Sequence, residues 1–112
     1  DIQRAVREVA VSSNVVSYAV RLVSASRPSS SDATKLTKEK VKWGAGSRAS
    51  QALILAGKAC ALLDGRYNVA CEDVRNLAVP VLRHRIIPNF HADAEGIGPE
   101  FIIEDILKNI KE

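Results

Sequence analysis

The sequence predicts an all-α domain: a small bundle of about five to six helices, with little or no β structure. Apolar residues recur at three- and four-residue spacing in segments placed along the whole chain. The apolar set is Ala, Val, Ile and Leu with only five aromatics in 112 residues, which suits helices packed closely together. No strand-like run alternates with a helical one, so there is no βαβ pattern and no parallel sheet to expect.

Ile2, Ala5, Val6 and Val9 stand at i, i+3, i+4 and i+7, so residues 1–10 read as the end of a helix. Val11-Ser12-Ser13-Asn14 interrupts it, and either serine suits the N-cap of the next helix. That helix runs to about Ala25, with Val15, Tyr18, Ala19, Leu22 and Val23 facing inward. Arg27-Pro28-Ser29-Ser30-Ser31-Asp32 breaks the pattern as a polar loop. Residues 33–43 are basic and only weakly periodic.

The segment from Ser47 to Leu63 is the clearest helix. Ala49, Ala52, Leu53, Ala56, Cys60 and Leu63 form one stripe, with Ile54, Leu55, Ala61 and Leu62 off it. Such a helix is apolar nearly all round and should be central. Asp64-Gly65 ends it, with Gly65 as the left-handed residue after the cap. Arg66 to Val69 is a short connection with one or two extended residues. Cys71-Glu72-Asp73 opens a fourth helix, its acids suited to the positive end of the helix dipole. Pro80 predicts a kink or a new start, followed by helix from Val81 to Ile87. A loop rich in Gly and acids follows Pro88. Pro99 then stands at the first position of a last helix, whose buried face is Ile102, Ile103, Ile106, Leu107 and Ile110.

Composition narrows the function classes. With 46% hydrophobic and 26% charged residues the chain is globular in composition rather than disordered. On general scaling a chain this long buries about two thirds of its unfolded surface, enough for one core. No apolar run is long enough for a membrane span. Cys60 and Cys71 make no disulfide framework and no signal peptide precedes them, so the cytoplasm is the expected location. The chain contains no Met, which predicts a piece of a longer protein. Net charge is +3 but unevenly spread. Residues 27–48 hold six bases (Arg27, Lys35, Lys38, Lys40, Lys42, Arg48) against Asp32 and Glu39, whereas residues 91–112 hold six acids against Lys108 and Lys111. Either both are solvated faces, or the basic edge meets phosphate or an acidic neighbour.

Most motifs fail on context. Gly44-Ala45-Gly46-Ser47-Arg48-Ala49 fits G-x-G-x-x-A, with Asp64 about 20 residues on, but a dinucleotide site needs buried strands before the glycines and the acid. Lys40-Val41-Lys42 is a poor strand, and Asp64 closes a helix. No G-K-[ST] follows, so the segment is not a P-loop. His84 and His91 lack ligand spacing with the cysteines, and no metal site is expected. Cys60 reads as a core thiol. No serine has a recognisable base partner, and no complete catalytic constellation exists. What survives is a tight turn at Gly44 and Gly46 that sets Arg48 in the first turn of the central helix. A helix N-terminus offers unpaired N–H groups, and an Arg there adds a forked donor suited to phosphate oxygens. The plainer reading is an ordinary surface Arg. Arg83-His84-Arg85 is either a small basic patch or a solvated helix face.

Taken together, several segments form one ordered series: Gly44-Ala45-Gly46-Ser47-Arg48-Ala49-Ser50, Ala61-Leu62-Leu63-Asp64-Gly65-Arg66, Val69, Glu72-Asp73-Val74, Pro80-Val81-Leu82-Arg83-His84-Arg85, Asn89-Phe90, Ala92 and Ala94-Glu95-Gly96-Ile97. The series closely resembles the C-terminal helical lid of MoxR-type AAA+ ATPases, most strongly from Trp43 to Ile97. The resemblance implies a lid that follows an ATP-binding α/β domain, and a sensor 2 arginine at Arg48 beside Gly44, Gly46 and Ser47. It implies ATP and Mg²⁺ as cofactors of the full-length protein, none held by this piece alone. It also implies a ring oligomer with a chaperone-like role, whose partners include a von Willebrand factor A domain protein or a client protein. The basic triplet Arg83, His84 and Arg85 is, from its residues alone, a candidate interface. No nucleic-acid or membrane partner is expected.

Departures are visible. The family usually has Ser-Pro at Gly46-Ser47, and a Ser or Thr cap where Ala70 and Gly98 stand, each lost cap costing about 1 kcal/mol or less. Residues 28–42 look longer and more basic than in many members. A second class is a basic nucleic-acid-binding or histone-like interaction module, since the central helix with Arg66, Val69 and Asp73-Val74 echoes a histone-type fold and the pI is about 9.1. The acidic last third and the lack of a strongly basic helix weigh against it.

A phosphate-cradling loop with its Lys and a carboxylate for Mg²⁺ are both missing from these residues. The purified 112-residue chain is therefore expected to fold, with a helical circular dichroism spectrum, and to release no phosphate from ATP above buffer in a coupled assay.

Overall fold

The computed structural model describes residue 5 and residues 8–112. The helix read over residues 1–10 rests on Ile2 and Val6, which lie outside the described residues; Val9 is buried and Ala10–Val11 forms a short strand, β1. Six helices follow: α1 Ser13–Ala25, α2 Lys35–Lys40, α3 Ser47–Leu63, α4 Cys71–Leu82, α5 Phe90–Glu95 and α6 Pro99–Asn109. Three more short strands join them, β2 Val41–Trp43, β3 Asn68–Val69 and β4 Ile87–Pro88. β1 pairs in parallel with β3, and β2 pairs antiparallel with β4. Both are two-stranded ribbons, so the domain is all-α in architecture, as the sequence predicts.

The long helices begin and end where their side chains allow. The Ser12 hydroxyl accepts from the Val15 N–H at 3.4 Å, and all five residues expected inside α1 are buried. At the end of α3, Gly65 takes φ 75°, the Arg66 N–H donates to the Ala61 carbonyl and the Gly65 N–H to that of Leu62, which is a Schellman cap. Ile102, Ile103 and Ile106 of α6 are buried behind Pro99, with Leu107 and Ile110 packed at the margin.

Four expectations are corrected. The buried face of α3 is Ala49, Leu53, Gly57 and Ala61, rotated from the expected stripe, and Leu63 is 89% exposed. A helix that is apolar all round carries too little contrast for its sequence to say which side meets the core. α4 runs through Pro80 to Leu82 without a new start at the proline and with no helix beyond it, because Ala78 and Leu82 are both fully buried on either side of the proline. Arg83, His84 and Arg85 then form an exposed turn rather than a helix face, and Ile87–Pro88 is extended. Two six-residue helices occupy segments read as irregular. Thr34 caps α2 by accepting from the Thr37 N–H at 3.1 Å, and Asn89 caps α5 by accepting from the Ala92 N–H at 3.0 Å. These two helices touch through Lys40 Nζ and Glu95, 2.7 Å apart, so one base of the basic segment meets an acid of the last third.

Helix α4 starts without a side-chain cap, as Ala70 predicts; instead the Asp73 carboxylate accepts from the Ala70 N–H at 2.8 Å. Ala70 is exposed and extended, with φ −101° and ψ 159°, a conformation that serine adopts without strain. Ala70→Ser is expected to add the missing half of the capping box and raise unfolding free energy by about 1 kcal/mol, read from urea titration.

Candidate functional site

Gly44, Gly46, Ser47 and Arg48 meet at the start of α3. Arg48 is the second residue of the helix and is exposed, and it has no hydrogen-bond or ion-pair partner among the described residues. Gly46 is the N-cap residue, in extended geometry with φ −91° and ψ −176°, and no side chain caps the helix. A seventeen-residue helix thus presents its positive end uncovered beside a free guanidinium. Such an arrangement has the chemistry to receive an anion, and forked donors of this kind suit phosphate oxygens.

The turn before it is held on two sides. β2 runs into the turn and pairs with β4, and the Asn89 N–H donates to the Lys40 carbonyl at 2.8 Å. On the other side lies the end of α1. The Ala45 N–H donates to the Ser26 hydroxyl oxygen at 3.0 Å, and that hydroxyl donates to the Val23 carbonyl at 2.6 Å. Ser26 is fully buried and Ala45 nearly so. Gly44 has no room for a side chain: a Cβ there would stand 2.3 Å from the Ser26 carbonyl oxygen. Sequence reasoning gave Gly44 a turn role and missed Ser26, whose partner lies nineteen residues away and leaves no local signal.

The other candidates sit elsewhere. Arg83, His84 and Arg85 are exposed in the turn after α4, where the Arg85 guanidinium donates to the Val81 carbonyl and so covers an open helix end. They make no hydrogen bond or ion pair with Arg48 among the described residues. Cys60 and Cys71 are free thiols, half-buried, and burial raises the Cys71 thiol above its usual range. No group of three or more His, Cys, Asp or Glu is placed to hold a metal ion among the described residues. Nor is any described helix long and apolar enough to cross a membrane.

The far end of α3 carries a forked charge contact. Arg66 grips Asp73 with two donors, Nη2 to Oδ1 at 2.7 Å and Nη1 to Oδ2 at 2.9 Å, and its Nε reaches Asp64 at 2.9 Å. The Arg66 guanidinium holds the Asp73 carboxyl below the usual carboxylate range, helped by the Ala70 N–H and opposed by burial. A carboxyl with a lower pKa folded than unfolded contributes stability that is complete above the ordinary value near 4 and lost as pH falls through the folded one. The melting midpoint is therefore expected to fall on acidification below about pH 5. Asp73→Asn should lower the midpoint at neutral pH and flatten that acid slope, both read by circular dichroism melts.

Comparison with known proteins agrees with this architecture. Residues 33–106 match the AAA lid domain family. The chain is 36% identical over 96 residues to "Chaperone MoxR1" of Mycobacterium tuberculosis, covering 86% of this chain and 26% of that one. It is 38% identical over 64 residues to "Protein MoxR" of Paracoccus denitrificans, covering 55% of this chain and 19% of that one. The crystal structure of a "putative ATPase" from Cytophaga hutchinsonii superposes with a TM-score of 0.90 at 33% identity, over 96% of this chain and 33% of that one. The chain thus spans about a fifth to a third of the length of the proteins it matches. A matched lid sequence, six helices in the matched arrangement and MoxR relatives lead to one conclusion: the chain belongs to the AAA lid domain family and is a lid of the MoxR type.

Proposed function

We propose that this lid follows an ATP-binding α/β domain in a longer MoxR-type ATPase, and that Arg48 is its sensor 2 arginine. The observation that carries the reading is an exposed guanidinium without a partner among the described residues, in the first turn of an uncapped long helix whose preceding turn is fixed on both sides. In this reading Arg48 contacts the terminal phosphate of ATP, and the open N–H groups beside Ser47 and Gly46 face the same anion. ATP and Mg²⁺ are cofactors of the full-length protein in this reading. Nucleotide hydrolysis in the other domain then changes what Arg48 contacts, and α3, being rigidly packed, carries that change to the rest of the lid.

The wider role follows the relatives. One is named a chaperone, so we place this lid in a cytoplasmic ring oligomer that matures or assembles other proteins, partnered by a von Willebrand factor A domain protein or a client. Arg83, His84 and Arg85, exposed in their turn, suit a contact with a neighbouring subunit. A nucleic-acid role has less support. The bases of residues 27–48 are spread over a loop, α2, β2 and the start of α3, and Lys40 is already paired with Glu95.

The test is Arg48→Ala in the full-length ATPase. An arginine acting as a finger in phosphoryl transfer is worth about 10³–10⁵ in rate, and a sensor arginine less. A loss of at least about tenfold in turnover is expected, with the lid's melting midpoint unchanged because an exposed residue loses no packing. Arg48→Lys should rescue only in part, because a point charge cannot make the forked contact. Wild-type turnover in Arg48→Ala, or a loss explained by an unfolded lid, would count against this assignment.

A further inference from the structure

The turn that aims Arg48 is fastened to another helix by one buried hydroxyl. Ser26 ends α1, is fully buried, and spends its hydroxyl on two bonds, accepting from Ala45 N–H at 3.0 Å and donating to the Val23 carbonyl at 2.6 Å. Ala45 immediately precedes the N-cap residue Gly46, and Arg48 is three positions on. The contact is also tight along the backbone, since a Cβ on Gly44 would meet the Ser26 carbonyl oxygen at 2.3 Å and Arg27 Cα at 2.7 Å. We infer that Ser26 is a positioning residue for Arg48: its hydroxyl, with the close approach of Gly44, clamps the turn onto α1 and fixes where the first turn of α3, and with it the guanidinium, is presented.

A hydroxyl that only filled space would be replaceable by a methyl group, and one that only stabilised the fold would act on every property of the lid equally. The geometry argues for a narrower role. Among the described residues the Ser26 hydroxyl bonds to no core helix other than its own, and its one long-range bond goes to the loop residue before the N-cap. Removing the hydroxyl leaves the Ala45 N–H buried without its acceptor, and the loop can satisfy that donor only by lifting toward water. Lifting it moves the start of α3. The same displacement follows from the opposite side if Gly44 gains a side chain, with the Ser26 hydroxyl still present.

This inference rests on the assignment of Arg48 as the phosphate-contacting arginine, and the experiment separates the two. In the full-length ATPase, steady-state ATP turnover is measured for Ser26→Ala, Gly44→Ala, Arg48→Ala and the double variant Ser26→Ala/Arg48→Ala, with circular dichroism melts on each. Ser26→Ala and Gly44→Ala are each expected to lower kcat about tenfold, within the roughly 10²-fold that a small misplacement of a reacting group can cost, with KM for ATP changed less. In the Arg48→Ala background, Ser26→Ala is expected to cause no further loss, because the group it positions is gone. If Arg48→Ala itself keeps wild-type turnover, the assignment of Arg48 fails. If Arg48→Ala loses turnover while Ser26→Ala keeps it, or if the two losses multiply in the double variant, the positioning role of Ser26 is overturned and the Arg48 assignment stands. Loss of helical signal in both Ser26→Ala and Gly44→Ala overturns it as well, since the contact would then determine the fold and not the aim of one side chain.

Discussion

How closely its neighbours can approach α3 governs this domain. Its buried face is Ala49, Leu53, Gly57 and Ala61, four residues at four-residue spacing, three of them small. Small side chains lose little rotamer freedom on burial and let neighbouring backbones come near, so dispersion is gained along the whole length of the helix. α1 and α4 both pack against it and α6 packs on α4; Ala19, Leu22 and Val23 of α1, Val74 and Ala78 of α4, and Ile102, Ile103 and Ile106 of α6 are all buried in the one core. Val69 of β3 rests against Gly57 itself. A larger residue on that face would separate elements at both ends of the helix, because one rigid rod carries both.

The two ends are secured by different chemistry. At the C-terminal end a Schellman cap satisfies the last carbonyls, and Arg66 binds the buried Asp73 through a forked, charge-assisted pair that also covers the start of α4. At the N-terminal end the contacts are neutral: one serine hydroxyl, one glycine without room for a Cβ, and a short antiparallel ribbon. Among the described residues no carboxylate is bonded to the first turn of α3, and no side chain caps it. A neutral, firmly held turn keeps the positive end of the helix and Arg48 available to an anion from outside the domain, where an acidic cap would have neutralised them. That contrast is what a lid needs if its scaffold is to stay rigid while one charged group answers to a ligand held elsewhere.

Much of this was legible in the residues. α1, α3 and α6 announce themselves by periodicity over eleven or more positions, and their boundaries by Ser12, Gly65 and Pro99. Such signals are local, and they repeat often enough to outweigh noise. α2 and α5, with six residues each, are shorter than a helix that is stable alone, and they form because Thr34 and Asn89 cap them and because each leans on the other through Lys40 and Glu95. Both caps were present in the sequence, Thr34 three before Thr37 and Asn89 seven before Gly96, but six residues give no periodicity to confirm them. Pro80 is the opposite case: a local signal for interruption, overridden by Ala78 and Leu82 in the core.

By itself, the sequence determined the helical class, the helices α1, α3 and α6, the order of lid motifs and the placement of Arg48 in the first turn of the central helix. Each depends on residues within a few positions of one another, where propensity and spacing act directly. Only the tertiary structure decided which face of α3 is buried, that α4 passes through Pro80, that Arg66 closes on Asp73, and that Ser26 holds the turn before Arg48. Those outcomes join groups brought together by packing, and the free energy that selects them comes from excluding water between elements that are distant in the chain.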